Sequence, residues 1–494
     1  MSPILIPFPA ELRPRLPTIV GNVDYLQLRE RLERIDRLLL QSGLETAFVE
    51  ACLRQWRRPE QRPATARQQL KYQQRARCAL RCNLLRSLLQ VGYRPFTCQL
   101  AGNPLYHWFC GVDALDRVRV PSKSELQRFS ALQTAAQTRA LIDLLLQSAL
   151  QKPAALGLEK PVSVEDYFLD TTCLKTNIHF PVDWVLLRDG VRTLMKAVKL
   201  IRREGLKARM EPPGEFLKRI NRLSIEMTHA GRKKGGRKER KRVLRLMKKL
   251  TKAVQSHARR HRELLDKQWE KTGWTRPQAE QVLKRMDGVL ELLPQAQKQA
   301  HERIIGERPV PNGEKILSLY ETDTRILVRG KAGAAVEFGN TLLLAESGQG
   351  LILDFSLWRE QAPADSGLLL ESLERLPEGV AGQIQAVGAD RGFSSKANTA
   401  GLEVAAKFNG ICPKSPAEMK ERMQEERFVG LQRRRSQTEA RISILQRGFL
   451  GKPMRAKGFE AREAAVAWGV LTHNLWVLAR LTGKKKPDKL KRAA

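Results

Sequence analysis

The sequence of 494 residues contains little cysteine, few aromatic residues and a deficit of acidic side chains. Seven cysteines are too few and too scattered for a disulfide framework in a chain of this length. Five of the cysteines lie in the first quarter near His107, but two Cys-x-x-Cys pairs are lacking, so zinc is the less favoured alternative. We interpret the cysteines as buried apolar thiols.

Long apolar runs are also lacking. No stretch approaches the 18 or more residues of a membrane-spanning helix, and the mean hydropathy is −0.40. The first 17 residues lack the basic region, apolar stretch and small-residue cleavage site of a signal peptide. The sequence therefore predicts a protein of the cytosol with no membrane partner. Its length and its 42% of hydrophobic residues indicate about three folded domains, since a domain has roughly 150 residues.

Basic residues are abundant: 88 Lys and Arg face 52 Asp and Glu, which gives a formal net charge of +36. This excess indicates a polyanionic partner. Residues 231–262 contain 15 of the basic residues and one acid, Glu239. Like charges one turn apart repel each other, so we interpret this segment as facing a phosphate backbone, with a solvated helix face as the plain alternative. The DNA-binding candidates here are Lys233, Lys234, Arg237, Lys238, Lys241 and Arg242.

The first part of the chain, residues 22–151, has apolar residues at helical spacing and is cut into short helices by Gly and Pro. Ser122 and Glu125 have the spacing of a capping box that opens a helix through Phe129 and Leu132. A plain helical bundle and a helix-turn-helix DNA reader are both compatible with this pattern.

Strands and helices alternate in the rest of the chain. The predicted strands are residues 164–170, 341–345, 350–355, 384–389 and 403–408, of which the second and third form a hairpin. Residues 190–306 are predicted to be helical, with a seam of Val243, Met247, Leu250 and Val254, and Thr275 begins a further helix. Helices are also predicted at residues 366–376 and from Ser436. This order predicts an α/β fold with a mixed sheet flanked by helices.

Three acids are candidates for chemistry. Asp170 lies on the first predicted strand, and Asp390 follows the carboxyl end of a later one, where open α/β sheets place their ligands. Glu439 shares a helical stripe with apolar residues, which predicts a carboxylate on an apolar face. If the three meet, they form the all-oxygen site that Mg²⁺ prefers, and a pair of ions can promote phosphodiester displacement.

Each acid has a structural alternative. Asp170 can cap a turn with Thr171 or Thr172, Asp390 can pair with Arg391, and Glu439 can pair with Arg435 or Arg447.

Several segments resemble bacterial insertion-sequence transposases of the DDE type, most closely the ISNCY group. The segments are DTT (170–172), TNIHFP (176–181), VRGKAG (328–333), VEFG (336–339), ADRGFS (389–394), EARI (439–442) and WGVLTHNL (468–475), in the family's order. The resemblance implies an RNase H-like core in which Asp170, Asp390 and Glu439 are catalytic and hold two Mg²⁺ ions, with Mn²⁺ as a substitute.

The resemblance also implies a domain plan, with DNA as the partner. The expected parts are a helical terminal-repeat-binding domain (1–155), the first part of the catalytic core (160–195), a basic helical insertion (196–306), the rest of the core (307–482) and a basic tail (483–494). The enzyme would act in the bacterial nucleoid as a homodimer or a larger synaptic assembly, on element ends and target DNA.

The family's signature around the glutamate runs Tyr, two residues, Arg, three residues, Glu, six residues, Lys. Arg435 and Glu439 match it, whereas Gln432 stands at the Tyr position and Gln446 at the Lys position. The missing Lys removes an expected phosphate contact, for which Arg447 or Lys452 can substitute. Arg435 and Arg447 are accordingly DNA-binding candidates.

The sequence therefore predicts a transposase that cleaves element ends and joins them to target DNA. A catalytically impaired, transposase-derived DNA-binding protein and a structure-specific nuclease stay open as alternatives. Smaller expectations concern five other residues: a packed or hydrogen-bonded His179, with an approach to DNA as the alternative, a core position for His473, a sharp turn at Gly392, and supporting or surface roles for Asp354 and Asp365.

Overall fold

The computed structural model describes residues 15–56, 65–113, 117–331 and 334–482. Within these ranges, side chains are described for all residues except 329–331 and 334. The predicted basic tail, residues 483–494, lies outside these ranges. The chain divides into two compact units. We call the described parts of Met1–Leu174, Thr341–Trp358 and Ala362–Ala494 the sheet unit, and Lys175–Asn340 with Arg359–Gln361 the helical unit. The divisions lie near residues 174 and 340, not at the expected domain boundaries of 195 and 306.

Helices dominate the described part of the chain. They are α1 (Val23–Gln41), α2 (Leu44–Trp56), α3 (Ala66–Leu89), α4 (Tyr93–Gly102), α5 (Pro104–Cys110), α6 (Lys123–Ser130), α7 (Ala135–Gln151), α8 (Asp183–Arg203), α9 (Pro213–Arg232), α10 (Arg237–Gln268), α11 (Arg276–Ala300), α12 (Leu368–Glu374), α13 (Glu378–Ala381), α14 (Lys396–Val404), α15 (Pro416–Arg422), α16 (Glu426–Leu445) and α17 (Phe459–Leu481). Within the described ranges, no helix combines the length and apolar character needed to cross a bilayer.

Several helix starts are set by capping side chains. Thr65, Thr134 and Thr275 each form a reciprocal capping box with a Gln three residues later, which satisfies amide groups that the first turn leaves free. The predicted start at Thr275 is confirmed. Ser122 accepts a hydrogen bond from the Glu125 amide at 3.2 Å, as expected, but α6 ends at Ser130, before Leu132.

Six strands of the described residues form one mixed sheet. They are β1 (Asp166–Lys175), β2 (Arg325–Lys331), β3 (Ala334–Ser347), β4 (Ile352–Leu357), β5 (Ala386–Ala389) and β6 (Phe408–Ile411). The strand order is β2-β3-β1-β5-β6, with β4 also paired to β3. β1, β5 and β6 run parallel, and the β3–β4 pair is the predicted antiparallel hairpin. The expected α/β class with a mixed sheet is confirmed.

One predicted strand is misplaced. Residues 403 and 404 form the last turn of α14, and the strand begins at Phe408. Parallel pairing decides this position, because Phe408 to Ile411 lie opposite Ala386 to Ala389 of the buried strand β5. Val404, which the prediction placed in the strand, is 90% exposed.

The amino-terminal helices and the sheet share one hydrophobic core. Its members include Leu38 of α1, Leu80 of α3, Leu145 of α7, Leu343 of β3 and Leu471 of α17, all fully buried. Inside it, Arg81 is 2% exposed and donates to Glu45 at 2.7 Å and to Asp36 at 2.5 Å, which ties α1, α2 and α3 together. The first helices are therefore part of the sheet unit and do not form a compact unit of their own.

The helical unit has a separate core. The predicted seam of Val243, Met247, Leu250 and Val254 is buried there, together with Leu194 of α8 and Leu293 of α11. The helical prediction for residues 190–306 is confirmed, and the first helix begins earlier, at Asp183. All seven cysteines lie in the described ranges, and none of them forms a disulfide; four are buried, Cys98 is exposed, and Cys78 and Cys412 are half-buried.

Candidate active site

Two parallel strands bring Asp170 and Asp390 together. Tyr167 of β1 lies opposite Val387 of β5, and Phe168 lies opposite Gly388. The same register, continued for two residues, sets Asp170 beside Asp390. Asp390 directly follows the last residue of β5, as predicted, and its Oδ1 accepts a hydrogen bond from the Gly392 amide at 2.8 Å. Asp390 therefore caps the turn Arg391–Phe393, in place of the ion pair with Arg391 that was the structural alternative.

The Asp170 carboxylate is held by its own strand. The Thr171 amide donates to Asp170 Oδ1 at 2.7 Å, which is the local turn contact that we considered as the structural alternative. The contact satisfies one oxygen and leaves the other for a ligand. It is therefore compatible with both roles.

Glu439 lies on α16, whose observed start differs from the prediction. The helix begins at Glu426, ten residues before Ser436, and Glu439 is exposed. Ile442, Leu445 and Phe449 are buried as expected, but Thr438 and not Glu439 continues their stripe. Neighbouring helical residues differ by about 100° in direction, since a turn takes 3.6 residues, so a shift of one position moves the carboxylate to solvent. The prediction of an acid on the apolar face is wrong.

A buried ion cluster anchors α16 to the β3–β4 hairpin. Glu346 is 1% exposed, and its two oxygens accept from Arg434 at 3.2 Å and from Arg441 at 2.9 Å. Arg434 also donates to the Ser347 and Gly348 carbonyls. Because Arg434 and Arg441 lie on the two sides of Glu439 in sequence, this cluster sets where the acid is held.

A fourth carboxylate, Asp365, joins the site. It opens a short 3-10 turn, Asp365–Gly367, before α12, and its Oδ1 accepts from the Thr171 hydroxyl at 3.0 Å. The expectation of a supporting or surface role understated its position. The run of Pro and Ala before it contains no pattern that relates it to β1, so only the tertiary contact reveals it.

The electrostatics of Asp170 show that these acids are neighbours. Burial is the largest cause that raises the pKa of the Asp170 carboxyl, which reaches about 6. The negative charge of Asp390 raises the pKa further, and the charges of Glu439 and Asp365 contribute smaller increases. The Thr171 amide opposes the rise, because it stabilises the ionised carboxylate. The ionised site is thus electrostatically unfavourable without a cation.

Replacing Asp170 with Asn should stabilise the fold at neutral pH. The unfolded pKa is near 3.8, so the folded chain holds a proton here that the unfolded chain releases between pH 4 and 6. Stability from this group is complete below the unfolded pKa and is lost as the pH rises through the folded pKa. We expect a gain of at most about 3 kcal/mol at pH 7, and no gain near pH 4.

Urea unfolding of wild type and Asp170→Asn from pH 4 to pH 7 checks this. Glu403→Gln, which removes an exposed carboxylate at the end of α14, is the matched control. A gain that is the same at every pH would contradict the electrostatic explanation.

Gly392 leaves space between two carboxylates. A Cβ added there would lie 3.0 Å from Asp390 Oδ1 and 3.1 Å from Asp365 Oδ2. The two oxygens are therefore no farther apart than about twice that distance. The chain does turn sharply at Gly392, in the 3-10 turn Arg391–Phe393, but the backbone there does not adopt a positive φ. Glycine is favoured at this position by space, not by conformation.

The change Gly392→Ala should lower cleavage activity with little effect on stability. The methyl group would displace the Asp390 and Asp365 carboxylates by a few tenths of an ångström. A displacement of about 1 Å in a reacting site costs about 100-fold in rate, so we expect a loss of up to about 10-fold, measured as the single-turnover cleavage rate. Gly379→Ala in α13 is the control, because its Cβ would meet nothing within 4 Å. Equal rates for the two variants would contradict this assignment.

The donor set fits a divalent cation. Four carboxylates supply hard oxygen ligands, and a cation would relieve the repulsion that raises the Asp170 pKa. Within the described part of the chain, however, no three His, Cys, Asp or Glu side chains already form a metal-binding cluster. The acids are gathered but are not arranged as a coordination shell.

Gln432 and Gln446, which differ from the family signature, both have structural contacts. The Gln432 amide donates to the carbonyls of Ala389 at 3.3 Å and of Gly410 at 2.6 Å, at the ends of β5 and β6. Gln446 is 6% exposed and donates to Thr172 Oγ1 and to the Cys173 carbonyl of β1, each at 3.2 Å. A Lys at position 446 would point into the fold and not toward a phosphate.

The other residues considered for DNA contact, Arg435, Arg447 and Lys452, differ in solvent exposure. Arg435 is half-buried and donates to Gln432 at 3.0 Å, whereas Arg447 and Lys452 are exposed. Within the described ranges, Glu439 forms no ion pair with Arg435 or Arg447.

In the helical unit, three of the six predicted DNA-binding residues between Lys233 and Arg242 form ion pairs with acids. Arg237 and Lys241 pair with Glu307, and Arg242 pairs with Glu239 and Glu226. Lys233, Lys234 and Lys238 are exposed.

Three remaining residues have clear positions. His179 is exposed and its Nε2 lies 3.0 Å from Asp189, so the hydrogen-bonded interpretation is confirmed. His473 is fully buried in α17, where burial lowers its pKa to about 3. Asp354 is 1% exposed and pairs with Arg139 and Arg375, which excludes a surface role.

Comparisons with known proteins add no relative. No family model matches the chain, no curated protein matches its sequence and no solved structure matches its fold.

Proposed function

We propose that the chain is a DDE-type DNA transposase that binds the inverted-repeat ends of an insertion sequence and catalyses phosphodiester hydrolysis and strand transfer. One observation carries the proposal: Asp170 on a central strand lies in register with Asp390 at the end of the parallel neighbour, and the charges of Asp390 and of Glu439 on a distant helix both raise the Asp170 pKa. These are the same three acids that the family resemblance selects. The net charge of +36 supports a nucleic-acid substrate.

The sheet topology supports an RNase H-like catalytic core. Asp170 lies on the central strand β1, with β3 on one side and the parallel strand β5 on the other. Asp390 lies at the carboxyl end of β5, the usual position of ligands in open α/β sheets. The helical region between β1 and β2 is then an insertion into this core.

The roles of the residues follow from their contacts. Asp170, Asp390 and Glu439 would hold two Mg²⁺ ions, or Mn²⁺ in their place. When bound, such ions supply Lewis-acid activation of the attacking hydroxyl and stabilise the leaving oxygen. Thr171 orients Asp170 through its amide and Asp365 through its hydroxyl. The exposed Arg447 and Lys452 supply charge for the scissile strand.

A DNA-binding protein without catalysis is the second candidate. It is favoured by Gln432 and Gln446, which replace the Tyr and Lys of the family signature. The contacts of these two glutamines weaken the case for a non-catalytic protein. Gln446 is hydrogen-bonded to β1, which carries Asp170, and Gln432 is hydrogen-bonded to β6 and to the end of β5, which Asp390 follows. Both glutamines therefore support the strands that position these acids. We therefore favour the enzyme. A homodimer or a larger assembly is part of this proposal, because two DNA ends must be processed together.

A strand-cleavage assay tests the proposal. Purified protein is incubated with duplexes that carry the DNA flanking its own gene, in Mg²⁺, Mn²⁺ or EDTA. We expect metal-dependent nicking at the element ends and joining of the 3′ ends to a target plasmid. Binding without nicking in either metal would favour the non-catalytic candidate. Cleavage of branched DNA with no preference for the ends would favour a structure-specific nuclease.

A further inference from the structure

The solvent face of α10 bears a line of basic side chains within the basic segment 231–262, of which only Lys238 was a predicted DNA-binding candidate. Its members are Lys238, Arg245, Lys249, Lys252 and Arg259, all exposed. We call these five residues the outer stripe. Four of them follow one another at intervals of seven residues, and Lys249 lies four residues after Arg245. Residues at this spacing drift by about 20° per step around a straight helix, so the stripe stays on one side of α10 while it turns gradually.

The opposite side of α10 is already covered. Val243, Met247, Val254 and Ala258 are fully buried in the core of the helical unit. The helix therefore cannot turn its apolar side toward a bilayer, and the stripe is fixed toward solvent. The one large apolar side chain exposed on α10 in the described residues is Leu246, at 41%. A lipid surface is thus a poor partner for this face.

The outer stripe differs from the neighbouring basic residues of α10, which are paired with acids. Arg237, Lys241 and Arg242 are neutralised by Glu307 and Glu239. Within the described ranges, none of the five stripe residues forms an ion pair with an acid. Repulsion between Arg245, Lys249 and Lys252, which lie one turn apart on α10, is therefore left uncompensated. A polyanion is the partner that would offset it.

The dimensions of the stripe match a duplex. From Lys238 to Arg259 the helix rises about 32 Å at 1.5 Å per residue. This is close to one turn of B-DNA, which is roughly 34 Å. The heptad step of about 10.5 Å corresponds to about three base pairs at 3.4 Å each. The face carries no exposed aromatic residue among those described, so it lacks the stacking platforms that single strands need.

We infer that the outer stripe of α10 binds the phosphate backbone of double-stranded DNA, without reading base sequence. The inference rests on the proposed function for its choice of DNA as the polyanion. It moves the contact surface of the insertion away from the paired residues Arg237, Lys241 and Arg242. Lysines and arginines that contact phosphates release counterions, and each contact adds about 0.9 to the slope of log affinity against log salt.

Two triple variants on the same helix test the inference. The stripe variant is Arg245→Gln, Lys252→Gln, Arg259→Gln, and the control is Arg237→Gln, Lys241→Gln, Arg242→Gln. Each removes two arginines and one lysine, so the net charge changes equally. Fluorescence anisotropy with a labelled duplex of about 30 base pairs, three turns of B-DNA, gives the affinity in EDTA from about 50 to 200 mM salt. Circular dichroism checks that both variants fold.

The stripe variant should flatten the salt slope by about 2.7, and the control by less than about one. Equal slopes for the two variants, or an unchanged slope for the stripe variant, would overturn the inference. Tighter binding of single-stranded DNA or duplex RNA than of duplex DNA would overturn it too. Because EDTA prevents metal-dependent chemistry, this result is separate from the cleavage assay. If the stripe variant changes the salt slope but the protein never cleaves DNA, the proposed enzymatic function is refuted and the DNA-binding role of the outer stripe stands.

Discussion

Replacing Asp390 with Asn is expected to lower metal-dependent strand cleavage by about three orders of magnitude or more. Stabilisation by a bound metal is worth several kcal/mol in the transition state, and each 1.4 kcal/mol is about tenfold in rate. A neutral amide is a poor ligand for a hard divalent cation. The Asn side chain can still accept the hydrogen bond from the Gly392 amide, so the turn after β5 is retained.

The measurement is the single-turnover cleavage rate, together with Mn²⁺ affinity from electron paramagnetic resonance. The control is Glu403→Gln, which changes the net charge equally at an exposed position of the same unit. We expect this control to match the wild type in both measurements. Full cleavage by Asp390→Asn would refute its assignment as a ligand. Lost cleavage with unchanged Mn²⁺ affinity would mean that Asp390 acts in another way.

The second large effect is expected for Glu346→Gln, which should lower the free energy of unfolding by about 3 kcal/mol or more. Breaking a buried ion pair leaves an uncompensated charge, and such changes cost about 3 to 5 kcal/mol. Here Arg434 and Arg441 would both lose the carboxylate that they share. Gly350 permits this contact, because a Cβ there would overlap the Arg441 guanidinium.

Urea unfolding measures this loss. Glu371→Gln is the control, because its pair with Arg375 is 3.9 Å long and Glu371 is 57% exposed. Exposed pairs contribute about 0 to 1 kcal/mol, so the control should be nearly neutral. We also expect Glu346→Gln to slow cleavage, since the cluster holds the helix that carries Glu439. A stability change no larger than that of Glu371→Gln would show that the cluster does not anchor α16.

Local features were predictable where short-range physics decides them. The cap at Thr275, the hairpin of β3 and β4 and the end of a strand just before Asp390 were all expected and are all observed. In each case the signal lies within a few residues: a capping box, two apolar runs joined by a short polar turn, or an acid after an apolar strand. Neighbouring structure did not override these signals.

The errors occur where a small shift changes the answer. A rotation of one residue places Thr438 in the core and Glu439 in solvent, and apolar spacing alone does not resolve that difference. The strand at Phe408 is chosen by pairing with β5, since the preceding Val and Ala residues suit a helix end or a strand. Asp365 was undervalued because its contact with Thr171 joins positions far apart in the chain.

From the sequence alone one could determine the basic charge and the α/β class, because these depend on composition and local pattern. The choice of Asp170, Asp390 and Glu439 as catalytic residues came from the family resemblance and stays a prediction. Only the tertiary structure decided which basic side chains are free, how Glu439 is held and that Asp365 joins the acids. Charges far apart in sequence neutralise or repel one another according to distance in space, and folding alone sets that distance.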